Sequence, residues 1–149
     1  MIQIKAVDAQ NILDVCGLST DRNGVGTITK GCSCCNAISI AEAKYDSEMH
    51  PYAIYHNKVL IGFFMYRRTE EQADTATIYR FMLDSKFWHK GLEEKAMEHI
   101  LRGLKIQGVK KVIIRIDGTG KNAGNLPYSF GFHLVGSAAQ LERGYELEL

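Results

Sequence analysis

Hydrophobic and polar residues in the first part of the chain follow patterns typical of a strand and two short helices. Apolar and polar residues alternate over residues 2–7, which predicts a first strand. Residues 8–18 carry apolar side chains at helical spacing and predict a short helix. Ser39 and Glu42 have the spacing of a capping box, which predicts that a second helix starts at Ser39 and ends near Asp46.

The middle of the chain predicts three consecutive strands. Residues 51–68 read as a hairpin with its turn at His56-Asn57. Residues 75–84 form another strand, rich in β-branched and aromatic side chains. Strands joined by such short connections pair antiparallel.

An amphipathic helix follows, because apolar residues recur at intervals of three and four. This apolar stripe consists of Leu92, Ala96, Met97, Ile100, Leu101 and Leu104. Gly108 is a natural stop for the helix. Residues 109–117 then predict a strand buried on both faces, and residues 132–149 predict a closing hairpin. The crossover from 75 to 117 should make its two strands parallel.

These elements predict an α/β fold of mixed α+β type. We expect one mixed, mostly antiparallel twisted sheet of about six or seven strands, with helices on both faces. The chain has 149 residues without a visible repeat or interdomain linker, so residues 1–149 are expected to form a single domain.

Composition and charge narrow the classes of partner. Hydrophobic residues make up 46% of the chain and charged residues 23%, which is typical of a globular protein. The net charge of +1 gives no electrostatic basis for nucleic acid or an anionic membrane as main partner. No apolar run approaches the length of a membrane span, so a cytoplasmic location is expected. A homodimer is one candidate assembly.

The cysteines favour a structural interpretation. Cys32, Cys34 and Cys35 lie together in "GCSCC", where neighbouring thiols are poorly placed to bridge one another. A metal site usually shows two separated Cys/His pairs, and no second pair is present in the sequence. We therefore interpret them as reduced thiols in a loop over residues 19–35, with a thiol or metal sensor as the alternative.

Three stretches carry a resemblance to a known family: "NAISIAEAKYD" followed by "HPYAIY", "IYRFMLDSKF" running into "KG", and "FGF" near the end. They resemble the GNAT superfamily of acetyl-CoA-dependent N-acetyltransferases, and most closely the bacterial spermine/spermidine (diamine) acetyltransferases. The resemblance implies a sheet in which two neighbouring strands splay apart and admit the pantetheine arm of the cofactor. By matched position these strands are residues 75–83 and 112–117.

The phosphate motif of this family, Q/R-x-x-G-x-G/A, is degenerate here. Its positions read Trp88-His89-Lys90-Gly91-Leu92-Glu93, so only the first glycine survives. In the motif, backbone N–H groups at a helix start point at the pyrophosphate, and the helix dipole adds roughly half a positive charge. With acetyl-CoA as co-substrate, the resemblance implies that the cofactor-binding residues are Met82, Leu83, Lys90, Gly91, Leu92, Glu93 and Lys95.

Glu93 brings a negative charge to this turn. A carboxylate about 5 Å from a phosphate charge costs on the order of 3 kcal/mol at an effective dielectric constant of 20. The same residue stabilises the first helical turn by roughly 0.3–1 kcal/mol. We therefore expect the Glu93 carboxylate to take over part of the role of the phosphate at the helix start, and to weaken CoA binding without abolishing it.

The catalytic residues implied by the resemblance are less complete. The backbone N–H groups of Met82 and Leu83 would polarise the thioester carbonyl. The tyrosine that serves as general acid in the family falls on Pro127, and Tyr128 follows one residue later. Tyr128 is therefore the candidate acid and Tyr79 a second catalytic candidate, although ordinary packing explains either tyrosine as well.

An amine acceptor starts as a cation, so carboxylates would attract it. Glu48 and Asp117 are the substrate-binding candidates, with solvated turn residues as the alternative interpretation. The expected function is acetyl transfer from acetyl-CoA to a primary amine of a small molecule, with a polyamine as one candidate. The alternative is a catalytically impaired GNAT-fold protein that acts as a CoA-sensing or protein-binding module, given the departures at Trp88, Glu93 and Pro127.

Overall fold

The computed structural model describes residues 1–19, 36–117, 129–136 and 142–149, and within them seven strands form one sheet. The strands are β1 Ile2–Ala6, β2 Met49–His56, β3 Val59–Arg67, β4 Thr75–Leu83, β5 Lys111–Asp117, β6 His133–Val135 and β7 Glu142–Glu148. The helices are α1 Ile12–Cys16, α2 Asn36–Tyr45 and α3 Leu92–Ile106, and a 3-10 turn spans Ser85–Phe87. None of these helices is both long and apolar enough to cross a membrane.

The sheet has the order β1-β2-β3-β4-β5-β7-β6. The pair β4–β5 is parallel and the other described pairs are antiparallel. The predictions of consecutive antiparallel strands, a parallel crossover and a closing hairpin are confirmed. In the hairpin, β7 lies between β5 and β6, so the last strand of the chain is an interior strand of the sheet.

Alternating side chains of the central strands separate two apolar cores, one on each face of the sheet. Phe64 and Tyr66 of β3 belong to the core under α3, whereas Phe63 and Met65 belong to the core under α1 and α2. The apolar stripe predicted for α3 packs into the first core, with Ala96 and Met97 fully buried. The helices therefore lie on both faces, as predicted.

The predicted start of the second helix is wrong. Ser39 lies inside α2, which the structure describes from Asn36 onward, so Ser39 cannot cap the helix. The Ser39 side chain is fully buried, and no described residue forms a hydrogen bond with its hydroxyl oxygen. Instead, the Asn36 side chain donates a hydrogen bond of 2.9 Å to the Val15 carbonyl and so joins α2 to α1.

Two other boundaries differ from the sequence prediction. The turn of the β2–β3 hairpin is formed by Asn57 and Lys58, both with positive φ, one residue later than predicted. The helix predicted over residues 8–18 is regular only from Ile12 to Cys16. Before it, the Asp8 carboxylate accepts hydrogen bonds from two following backbone N–H groups, which favours a turn over a further helical turn.

Candidate active site

β4 and β5 are paired over only part of their length. Their parallel register runs from Thr75 and Lys111 to Ile78 and Ile114, where it stops. Both strands continue beyond this point, β4 to Leu83 and β5 to Asp117. The two strands therefore have unpaired ends, as the predicted divergence requires, and the region between these ends is called the opening.

A β-bulge marks the point at which the strands part. Met65 of β3 lies opposite Arg80, and the next residue, Tyr66, lies opposite Ile78. Tyr79 is therefore an extra residue of β4, which directly follows the last residue paired with β5. Because a bulge bends its strand and increases its twist, Tyr79 explains why β4 leaves β5 here.

The ladder between β3 and β4 decides which backbone groups face the opening. The Asp84 N–H donates to the Ile61 carbonyl at 2.8 Å. Since pairs in an antiparallel ladder alternate between bonded and non-bonded, Met82 turns its backbone groups toward β3, whereas Leu83 turns its own away from β3. This differs from the prediction for Met82 and leaves the Leu83 N–H as the amide directed into the opening.

Trp88 lies against the same end of β4. Its indole Nε1–H donates a hydrogen bond of 2.9 Å to the Leu83 carbonyl. An open groove of about 460 Å³ adjoins it, lined by Ser85, Lys86, Trp88 and His89. Trp88, which the resemblance places at the first position of the phosphate motif, therefore binds the protein backbone with its polar group and forms one wall of a groove.

The turn that leads from β4 to α3 is held by a residue that sequence analysis missed. The Asp84 side chain is buried, and its two oxygens accept hydrogen bonds of 3.0 Å from the backbone N–H groups of Lys86 and Ser19. The Ser85 N–H in turn donates to the Ser19 carbonyl at 2.9 Å. An aspartate directly after a strand and before a short turn is a typical cap, and this signal was present in the sequence.

The start of α3 presents uncapped backbone amides. Gly91 is the N-cap residue, has a left-handed φ of 71° and provides no side-chain cap. A Cβ atom built on Gly91 would meet no atom within 4 Å, so the space beside the backbone is open. The first-turn N–H groups, among them those of Leu92 and Glu93, have no acceptor within the helix. The described side chains therefore leave this cup of amides accessible to an anion.

Side chains of both charges lie near the first-turn amides of α3. Lys90 and Lys95 are exposed, Glu93 is half-buried, and none of the three forms an ion pair within the described residues. The Lys90 ammonium lies 6.0 Å from the centre of the Phe87 ring, a distance at which a cation–π attraction acts. Both lysines can therefore turn toward an anion without breaking an ion pair of the described structure.

Glu48, which was predicted to bind the amine substrate, already has a cationic partner. Arg67 lies 3.5 Å from Glu48 and 3.2 Å from Asp46. The Glu48 N–H, and after it the Arg67 side chain, hold the pKa of Asp46 below its ordinary value. Asp46 is in turn the main cause of a raised pKa of Arg67, to which Glu48 and Tyr79 also contribute. Tyr79 thus belongs to the same electrostatic cluster.

The remaining candidates are only partly described. Asp117 ends β5, where its backbone pairs with Glu142, and its side chain lies outside the described residues. Tyr128 and Pro127 lie outside the described residues, as does the cysteine cluster. Within the described parts of the chain, no group of three His, Cys, Asp or Glu side chains is arranged to hold a metal ion.

Comparison with known proteins gives a family match over most of the chain. Residues 31–132 match the model of the Acetyltransferase (GNAT) family. A comparison with curated protein sequences gives no significant match.

Solved structures share the fold over the whole chain. An acetyltransferase from Thermus thermophilus has a TM-score of 0.76 at 16% identity, over 100% of this chain and 97% of that one. The PaiA N-acetyltransferase from Thermoplasma acidophilum, in complex with coenzyme A, has a TM-score of 0.70 at 14% identity, over 100% and 99%. A GNAT family acetyltransferase from Elizabethkingia anophelis, with acetyl-CoA bound, has a TM-score of 0.66 at 14% identity, over 99% and 98%.

Proposed function

The chain belongs to the acetyltransferase (GNAT) family, and from this premise we propose that it transfers an acetyl group from acetyl-CoA to a primary amine of a small molecule. One observation carries the proposal: the pairing of β4 with β5 ends at Ile78, on the approach to the uncapped amides of α3. An extended arm would lie between the unpaired strand ends, and the amides offer hydrogen bonds to a pyrophosphate. Two of the structural neighbours are complexes with coenzyme A or acetyl-CoA, which supports this choice of acyl donor.

The backbone has two tasks in this proposal. The Leu83 N–H donates a hydrogen bond to the thioester oxygen, on which negative charge develops as the acceptor nitrogen attacks the carbonyl carbon. The amides of Gly91, Leu92 and Glu93 hold the pyrophosphate, and the side chains of Lys90 and Lys95 add positive charge nearby. Because the essential contacts come from the backbone, the loss of the motif glycine at position 93 weakens binding without removing it.

The acceptor nitrogen must lose a proton, and the departing CoA thiolate must gain one. Tyr79 and Tyr128 are the proposed proton-transfer residues. Tyr79 has the better-described position, since it is the bulged residue at the mouth of the opening. Glu48 and Asp117 are the proposed acceptor-binding carboxylates. Arg67 opposes the charge of Glu48, so a cationic polyamine has to compete with an existing ion pair there.

The test is thiol release from acetyl-CoA with a panel of amines that includes spermidine and other diamines. We expect thiol release that depends on both the acyl donor and one class of amine. Trp88 is the sole tryptophan of the chain and lines the groove, so its fluorescence reports CoA binding separately. The absence of release with every amine would overturn the proposal, and binding without release would identify a CoA-sensing module instead.

A further inference from the structure

We propose that Asp84 is a positioning residue that holds the cofactor turn in its binding conformation by clamping it to Ser19. This inference rests on the proposed function, because it assigns Asp84 a role in binding acetyl-CoA. Asp84 is 4% exposed, although an isolated carboxylate is costly to bury. Its burial is compensated by hydrogen bonds to backbone N–H groups on two separate segments of the chain.

The clamp between the two segments is reciprocal. The Ser19 N–H donates to the Asp84 carboxylate at 3.0 Å, and the Ser19 carbonyl accepts from the Ser85 N–H at 2.9 Å. Hydrogen bonds to a carboxylate are roughly twice as strong as bonds between neutral groups. The bond from Ser19 to Asp84 is therefore stronger than the bond from Ser85 to Ser19. The other Asp84 oxygen binds the Lys86 N–H inside the turn. One side chain therefore fixes both the shape of the turn and its place against the segment that follows α1.

The clamped segment leads directly to the amides that would hold the pyrophosphate. Three residues of 3-10 turn, Ser85–Phe87, and four further residues separate Asp84 from the first residue of α3. In addition, the Leu83 carbonyl is fixed by Trp88 and the Asp84 N–H by Ile61. The Phe87 N–H also donates to the Asp84 carbonyl at 2.9 Å, and the Asp84 side chain adds the bond to Lys86 and the link to Ser19. Without it, the turn has fewer contacts to keep it in one conformation.

A loosened turn changes the affinity for the cofactor more than the chemical step. The apparent dissociation constant rises as the fraction of protein with a competent turn falls. If that fraction falls to about one tenth, the KM for acetyl-CoA rises about tenfold, while kcat at saturation changes less than about twofold. A residue with only a general structural role would reduce the amount of active protein, which lowers kcat and leaves KM unchanged.

The first variant is Asp84→Asn, which replaces one acceptor oxygen by an NH2 group. Whichever way the amide turns, one of the two hydrogen bonds to Ser19 and Lys86 is lost. The matched control is Asp74→Asn. Asp74 directly precedes β4, as Asp84 directly follows it, but Asp74 is exposed. We expect the tenfold rise in KM for Asp84→Asn and no change for Asp74→Asn.

A second variant tests the other half of the clamp. Ser85→Pro removes the N–H that donates to the Ser19 carbonyl. Proline suits this place, because Ser85 is the first residue of the 3-10 turn and Asp84 before it is extended, with ψ of 141°. Ser85→Ala, which keeps the N–H, is its control. If Asp84→Asn does not fold, the comparison of Ser85→Pro with Ser85→Ala still tests the proposal.

Kinetics and binding are measured together. Each variant is titrated with CoA by Trp88 fluorescence. The midpoint of its unfolding transition shows whether the variant is folded under the conditions of the titration. A tenfold weaker CoA affinity in both variants supports the clamp even if no amine is acetylated, so failure of the proposed function is seen separately. The inference is overturned if Asp84→Asn and Ser85→Pro match their controls, or if kcat falls while KM for acetyl-CoA stays constant.

Discussion

At the scale of single residues, Glu93 is expected to set how well the turn before α3 binds an anion. It is half-buried in the first turn of the helix, where the resemblance to the GNAT motif expects a small residue. Glu94 follows it in the same turn and is exposed. Both acids stabilise the positive end of the helix dipole, but only the first stands at the motif position nearest the proposed pyrophosphate.

The variant Glu93→Gln should therefore tighten CoA binding. After allowance for screening by solvent, removal of the repulsion is expected to lower the dissociation constant about fivefold, or about 1 kcal/mol. The measurement is a calorimetric titration with CoA, repeated at high salt, where the difference should shrink. Glu94→Gln is the control, and an equal effect of both variants would assign the gain to the helix terminus in general.

At the scale of elements, the contact between β3 and β4 depends on the absence of a side chain at Gly62. This residue lies opposite Leu83 in the ladder. A Cβ atom there would overlap the Met82 carbonyl oxygen and come within 2.5 Å of the Leu83 side chain. The position of β4 at Leu83 thus depends on a close backbone approach.

Gly62→Ala is accordingly expected to destabilise the protein by about 1–3 kcal/mol, the usual range for overpacking. Gly103→Ala is a control of opposite sign. Gly103 lies within α3 with no atom within 4 Å of the added Cβ, so alanine should stabilise the helix by about 0.5–1 kcal/mol. Urea unfolding of both variants measures the difference, and a neutral Gly62→Ala would show that β4 can shift without cost.

The β2–β3 hairpin carries a row of aromatic rings on the face under α3. Tyr52 and Tyr66 are stacked with their centroids 5.9 Å apart and an interplanar angle of 6°. Burial, and after it the neighbouring Tyr52, raises the pKa of Tyr66 to about 12. The folded protein therefore holds this proton more tightly than the unfolded chain, in which a tyrosine has its ordinary pKa of 10.0.

This difference predicts a loss of stability at alkaline pH. The contribution of Tyr66 is fully present below pH 10 and is lost as the pH rises toward 12, up to about 2–3 kcal/mol for two pKa units. Tyr66→Phe should lack this part of the loss. Tyr45→Phe, at a tyrosine that is 88% exposed, should keep it. Urea unfolding on both sides of pH 10 gives the comparison, and equal pH profiles for the two variants would contradict it.

At the scale of the whole molecule, the opening and the amides of α3 together should make folding sensitive to CoA. A ligand at 100 times its dissociation constant stabilises the native state by about 2.7 kcal/mol, which corresponds to a rise in Tm of about 5–10 °C for a domain of this size. Differential scanning fluorimetry with CoA measures it. Pantetheine, which lacks the pyrophosphate, should give a much smaller rise, and equal rises would exclude α3 as the phosphate site.

Much of the fold was predictable from local pattern. The spacing of apolar residues from Leu92 to Leu104 predicted α3, and alternation or apolar runs predicted the strands, because side-chain periodicity follows directly from backbone geometry. The place of Gly91 at the start of α3 was also predictable, because it directly precedes the apolar stripe. Ser39 shows the limit of such signals. Its spacing from Glu42 predicted a helix cap, but Ser39 lies inside α2 and is fully buried.

The sequence by itself therefore determined the kinds and order of elements, the two faces of the sheet and the family to which the chain belongs. Only the tertiary structure decided the bulge at Tyr79, the direction of the Leu83 backbone groups away from β3, and the bond between Ser19 and Asp84. The physical reason is the range of the contacts. A bulge or a ladder register depends on the neighbouring strand, and Ser19 and Asp84 are 65 residues apart along the chain, so no local pattern encodes them.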